Sequence, residues 1–74
     1  MKPTQVTNSI RTLRFTHGEM TQADLAERIG VTRQTVIAIE QGRYSPSLEM
    51  AFQIAGVLEA PLDEVFSYKG DDAN

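Results

Sequence analysis

Between Gln22 and Gln41 the chain reads QADLAERIGVTRQTVIAIEQ, with apolar residues recurring at Leu25, Ile29, Val36 and Ile39 and the small Ala26 turned inward. The i, i+4 step from Leu25 to Ile29 and the i, i+3 step from Val36 to Ile39 give two short helices, each with one buried stripe. Thr21 with Asp24 three residues on forms a Thr-x-x-acid capping pattern, and Thr32 caps the second helix. Gly30 supplies the left-handed residue that ends the first. Two helices hinged at Gly30-Val31-Thr32 must cross steeply, and the methyl group of Ala26 allows close approach. The pattern is a helix-turn-helix, whose second helix fits the major groove of DNA.

Around this unit the same periodicity predicts three more helices. Helix 1 runs from about Asn8 to His17, covering Ile10, Leu13 and part of Phe15 or Arg14, and Gly18 stops it. Met20 fills a gap at the entrance of helix 2. After the turn-rich loop Gly42-Arg43-Tyr44-Ser45-Pro46-Ser47, helix 4 is capped by Ser47 and turns Leu48, Ala51, Phe52, Ala55 and Leu58 inward, with Ile54 beside them. Pro61 opens helix 5, Leu62 to about Phe66, with Asp63 and Glu64 in its first turn. Residues 1–7 read as a frayed polar arm in preference to a short strand, and Ser67-Tyr68-Lys69 can extend as a strand. Residues 69–74 form an acidic tail expected to be disordered. The fold class is all-α: a compact five-helix domain over residues 8–68, with room for short terminal β-strands.

A helical wheel on the second helix of the motif, at about 100° per residue, points Gln34, Gln41, Ile37 and Ala38 away from the core and sets Arg33 at the side of the first turn. An outward apolar residue is odd for a solvated face. In a major groove the set makes chemical sense: isoleucine and alanine meet thymine methyl groups, arginine reads guanine and glutamine reads adenine. Arg33, Gln34, Ile37 and Ala38 are therefore the candidate base contacts. The plainer readings are a phosphate contact or solubility for Arg33, and a partner surface or a stray apolar residue for Ile37. Gln22 opens helix 2, where free amide hydrogens suit a phosphate. Thr32, Arg43 and Tyr44 are further phosphate candidates, with packing against helix 4 the alternative for Tyr44.

Composition adjusts this picture. Seventy-four residues make one small domain whose core supplies about 3–5 kcal/mol, so self-association is the natural extra support. The absence of cysteine excludes disulfides and thiolate metal sites, and the lone His17 has no second ligand at useful spacing. No cofactor is implied. The N-terminus has no apolar run, so neither a signal peptide nor a membrane span is expected and the protein is placed in the cytoplasm. A net charge of −3 argues against a nucleic-acid binder until its distribution is considered. Residues 1–48 hold six basic side chains against four acidic, a balance of +2, whereas residues 49–74 hold one against six, a balance of −5. Such a bipolar domain presents its basic end to phosphate, with a thin electrostatic footprint and a larger share for base contacts.

The chain resembles the small Xre/Cro-type, phage-repressor-like transcriptional regulators of bacteria, in particular short stand-alone members similar to the cytolysin-repressor type. The residues that carry the resemblance are TQADLAERIGVTRQTV, then IEQGRYSPSLEMAFQIA, then PLDEVF, and it covers roughly residues 8 to 68. It implies a DNA-backbone clamp at Gln22 and an ion pair between Arg14 of helix 1 and Glu40, which would hide the one acidic residue of the recognition helix. It also implies repression by promoter occlusion as the commoner mode. Two departures stand out: the Gly18-Glu19-Met20 connection is one residue longer than in many relatives, and Glu59 stands where they often carry a helix-ending glycine.

The expected function is a sequence-specific regulator of double-stranded DNA, acting as a homodimer on a palindromic operator. The acidic half, with Leu62, Phe66 and Tyr68, forms the dimer surface. A domain filled by its own helices leaves no room for a small-molecule ligand. The rival reading is an antitoxin-like or adaptor module whose partner is a protein, compatible with the acidic half. An enzyme is disfavoured by the absence of a glycine-rich phosphate loop and of paired carboxylates in a cleft.

Overall fold

The computed structural model describes residues 4–68. In chain order these form β1 (Val6–Asn8), α1 (Ile10–Thr16), α2 (Gln22–Ile29), α3 (Arg33–Glu40), α4 (Leu48–Leu58), α5 (Leu62–Val65) and β2 (Phe66–Tyr68). The expectations for residues 1–3 and for the tail from Lys69 to Asn74 lie outside the described residues.

The local signals around the central pair act as anticipated. Thr21 Oγ1 accepts from the Asp24 N–H at 3.0 Å while Asp24 Oδ2 accepts from the Thr21 N–H at 3.4 Å, a reciprocal capping box. Gly30 adopts φ 76°, which lets the Val31 N–H turn back to the Ala26 carbonyl at 3.0 Å and ends α2. Thr32 and Ser47 cap α3 and α4 by accepting from the Thr35 and Met50 N–H groups at 3.2 and 3.1 Å. Ile10, Leu25, Val36, Ile39, Ile54 and Val65 are almost fully buried and join Met20, Ala26, Ile29, Ala55 and Leu58 in one core. Each large aliphatic side chain there contributes about 1.5–3 kcal/mol over an exposed position. α2 packs on both α3 and α4, so the motif rests on a platform and is not free-standing.

Within the N-terminal segment, Val6–Asn8 form a strand in place of the expected frayed arm. β1 pairs antiparallel with β2, Val6 opposite Tyr68, Thr7 opposite Ser67 and Asn8 opposite Phe66. The Ser9 N–H continues the ladder to the Val65 carbonyl at 2.9 Å. The partner strand lies about 60 residues away, so periodicity near the N-terminus carries no sign of it. Strand formation also moves two helix boundaries. α1 begins at Ile10, not Asn8, and Phe66 ends α5 with extended backbone at φ −125° and ψ 147°.

Two apolar side chains expected inside lie outside, and of Phe15 and Arg14 it is Arg14 that is partly covered. Leu48 and Phe52 are 68% and 56% exposed, because α4 centres its buried line on Ala51, Ile54, Ala55 and Leu58. On the wheel Leu48 and Phe52 fall about 70° and 110° to one side of that line. Phe15 is 67% exposed, one step round α1 from the half-buried Leu13 and Arg14. The missing glycine at the end of α4 is replaced by strain. Glu59 itself takes the left-handed conformation at φ 55°, and the Ala60 N–H bonds to the Ala55 carbonyl at 3.1 Å.

Candidate nucleic-acid interface

α3 lies along the surface with Val36 and Ile39 beneath it and Arg33, Gln34 and Gln41 exposed. Gln34 and Gln41 fall within about 10° of the direction opposite the core, so they form the crest. Ile37 and Ala38 flank the crest and are half-buried, not fully outward as the wheel suggested. An alanine methyl is shadowed by its own helix backbone. For Ile37 the neighbouring surface takes part of the side chain and leaves the rest at the flank.

The crest is flanked by two open hollows. One, of about 990 Å³, is lined by Arg11, Arg14 and Phe15 of α1, Glu19 of the α1–α2 turn, Gln22 at the start of α2, Arg33 and Glu40 of α3, and Gln41 just past its end. The other, of about 430 Å³, is lined by Gln34, Thr35 and Ala38 of α3 and by Arg43 and Tyr44 of the following loop. The fold thus brings the candidate base-reading residues Gln34 and Ala38 beside Arg43 and Tyr44, and Arg33 beside Gln22. A ridge with polar and basic hollows on both sides has the shape required of a helix entering a groove between two phosphate backbones.

Beneath the larger hollow lies a polar node. Arg14 and Glu40 meet in a two-pronged pair, Nε to Oε2 at 2.7 Å and Nη2 to Oε1 at 3.1 Å, with the side chains 13% and 8% exposed. Arg14 Nη1 also donates to the Met20 carbonyl at 2.8 Å, and Gln22 Nε2 donates to Glu40 Oε1 at 3.2 Å. The node joins α1, the α1–α2 turn, the start of α2 and the end of α3. It accommodates the longer Gly18-Glu19-Met20 connection, where Gly18 and Glu19 both take positive φ. Among the described residues no buried side-chain polar atom lacks a partner.

Three of the phosphate candidates already have intramolecular partners. Thr32 spends its hydroxyl on the Thr35 N–H and on the Thr35 hydroxyl, and Gln22 has committed one amide hydrogen to Glu40. What Gln22 retains is its second amide hydrogen. Arg43 Nε donates to Gln41 Oε1 at 2.8 Å, which holds the loop arginine against the end of α3. Sequence reasoning missed Arg11, exposed on α1 and aimed into the larger hollow, because periodicity places α1 on the core without saying which neighbour it borders. It also missed Asn8, whose Nδ2 donates to the Ile39 carbonyl at 2.9 Å.

The surface proposed for self-association is a third hollow of about 480 Å³, lined by Val6, Leu62, Asp63, Phe66, Ser67 and Tyr68. Leu62 and Phe66 are half-buried there, and Tyr68 is 63% exposed. No described helix is long and apolar enough to cross a membrane.

Comparison with known proteins follows the same lines. A profile of the family described as helix-turn-helix matches residues 10–65. The chain is 45% identical over 65 residues to an uncharacterized HTH-type transcriptional regulator of Methanocaldococcus jannaschii, covering 88% of this chain and 97% of that one. It is 53% identical over 55 residues to a regulator of the same description from Methanothermobacter thermautotrophicus, covering 73% and 80%. With another from Bacillus subtilis it shares 44% over 59 residues, covering 80% and 88%. These relatives are mainly archaeal, so the resemblance does not fix a bacterial source. A crystal structure from Bacteroides fragilis shares the fold at TM-score 0.73 and 22% identity, covering 84% of this chain and 98% of that one. A hypothetical transcription factor from Neisseria superposes at TM-score 0.67 and 27% identity, covering 74% and 62%.

Proposed function

The chain belongs to the helix-turn-helix family, in its Xre-type branch, and from that premise we propose that it is a DNA-binding transcriptional regulator, not an enzyme. The observation that carries the finer reading is the crest of α3. Gln34 stands exposed at its summit, Arg33 beside it, and Ile37 and Ala38 on its flanks. Gln34 reads adenine through its paired donor and acceptor, Arg33 reads guanine, and the two apolar side chains favour thymine methyl groups. Arg11, Gln22, Arg43 and Tyr44 hold the phosphate backbones on either side and fix the pose without reading sequence.

One such helix discriminates by about 1–3 kcal/mol per good contact, too little for a small monomer to find one site in a genome. The protein therefore acts as a homodimer on a palindromic operator, joined across the hollow of Leu62, Phe66 and Tyr68. The two-stranded sheet beside that hollow has an open edge, which a second copy covers. It represses by occluding a promoter in the cytoplasm. Selection of bound sites from random duplex DNA tests the whole reading. The expected product is an inverted repeat with half-site centres about 34 Å apart. Recovery of no enriched sequence refutes base reading, and recovery of a single unrepeated half-site refutes the dimer.

The exposed Leu48 and Phe52 on α4, beside Glu49, favour a second reading in which a protein is the main partner. The variants Arg33→Ala and Gln34→Ala separate the two, since they abolish regulation in the first case and leave protein complexes and function intact in the second.

A further inference from the structure

Residues 4–8 are fastened at both ends to the C-terminal end of α3. The Thr4 N–H donates to the Gly42 carbonyl at 3.1 Å, and Asn8 Nδ2 donates to the Ile39 carbonyl at 2.9 Å. The last turn of α3 carries no basic residue, and the Ile39 carbonyl, which also accepts from the Gly42 N–H at 3.1 Å, takes the Asn8 amide as a second, side-chain donor. The same side chain works at the other end: Asn8 Oδ1 accepts from the Ile10 N–H at 3.1 Å and so closes the start of α1. Asn8 is also the strand residue opposite Phe66. One amide thus ties the β1–β2 pair, the first turn of α1 and the end of α3 to a common point.

From this geometry we propose that Asn8 is a positioning residue for DNA recognition, carrying the placement of the strand pair to α3 and fixing the tilt at which its crest meets base pairs. The proposal rests on the reading of α3 as the base-contacting helix. At 1.5 Å per residue, the eight residues of α3 span about 12 Å, so a tilt of about 10° about its C-terminal end carries Arg33 by about 2 Å. Hydrogen bonds to base edges tolerate about 0.5 Å. The Arg14–Glu40 pair restrains the same end of α3 toward α1 and α2, and Asn8 restrains it toward the sheet. Neither restraint alone fixes both tilt and rotation.

Two substitutions in the full chain separate the two jobs of Asn8. Asn8→Asp keeps the acceptor for Ile10 but turns an oxygen toward the Ile39 carbonyl. Asn8→Ser keeps a capping oxygen, is neutral, and is too short to reach α3. The readout is the ratio of affinity for the selected operator to affinity for a scrambled duplex of equal length. The expected result is a fall of about five- to tenfold in that ratio for both variants, with the salt dependence of operator binding unchanged for Asn8→Ser. A merely structural role lowers the folded fraction and weakens both duplexes alike, so an unchanged ratio overturns the proposal. An Ile39 carbonyl ¹³C shift identical in wild type and both variants overturns it independently of DNA. A wild-type ratio near one sinks the base-reading premise, which distinguishes that failure from a failure of Asn8 alone.

Discussion

Removing either half of the Arg14–Glu40 pair should cost far more than removing both. The pair is two-pronged, its side chains are 13% and 8% exposed, and each partner makes a further hydrogen bond, to the Met20 carbonyl or from Gln22. Glu40→Leu leaves a guanidinium shielded from water with one carbonyl for company, and Arg14→Leu leaves a carboxylate with one amide. Breaking a pair of this kind costs about 3–5 kcal/mol, because the remaining charge is uncompensated. At about 0.05–0.15 kcal/mol per residue the whole domain is stable by only about 4–11 kcal/mol. A loss of about 3 kcal/mol lowers the melting midpoint by roughly 12–24 °C in a domain of this length. The Arg14→Leu/Glu40→Leu double variant removes both charges and fills the space, and should melt within about 1 kcal/mol of wild type. Urea titration followed by circular dichroism measures all four species, with equal slopes required for the comparison. Single variants within about 0.5 kcal/mol of wild type would refute the reasoning and make the pair a solvated surface contact. If the double variant is stable and binds operator as tightly as wild type, the pair has no part in aiming α3.

Gln34→Ala should weaken operator binding by about 1–3 kcal/mol in competition assays while leaving scrambled-duplex binding unchanged. Arg43→Ala should weaken both duplexes and reduce the salt slope of binding by about 1 per subunit, read from affinities over a salt series. Gly56 lies inside α4 with nothing within 4 Å of the position a Cβ would take, so Gly56→Ala should raise stability by about 0.5–1 kcal/mol in thermal melts. Glu59→Gly should relieve the φ 55° backbone and add about 0.5–1 kcal/mol net of the greater freedom of the unfolded chain; a lower melting midpoint would show the strain is not there.

The parts of this fold that were legible in the sequence are those decided within four residues. The Thr21–Asp24 box, the Thr32 and Ser47 caps and the left-handed Gly30 follow from local hydrogen bonding and sterics, and each sits where its residue type demands. The stripe of α4 was half legible. Apolar spacing located Ala51, Ala55 and Leu58, but a small domain has too few elements to cover a wide stripe, and Leu48 and Phe52 remain outside. The strand pair was the least legible, since Val6 and Tyr68 meet only after every helix between them has packed. Asn8 escaped for a related reason. Asn8, one residue before the N-cap Ser9, has a local partner in the Ile10 N–H, while its second partner lies 31 residues away on α3.

The electrostatics of the site follow from where its carboxylates go, not from how many there are. A net charge of −3 would repel a polyanion if it were spread evenly. Glu40, the acidic residue of α3, is turned beneath Arg14 and Gln22, and Asp24 is held by the Thr21 backbone at the start of α2. Glu49, Asp63 and Glu64 lie on α4 and α5 and Glu59 just past α4, away from both hollows beside α3, whereas exposed Arg11, Arg33 and Arg43 border those hollows, with exposed Glu19 lining the larger one as well. With so few cations at the face, counterion release contributes little that is independent of sequence. Discrimination must then come from how accurately α3 is held. On the proposed reading of α3, the residues fastening it, Arg14, Gln22, Glu40 and Asn8, would bear on recognition as directly as the residues on its crest.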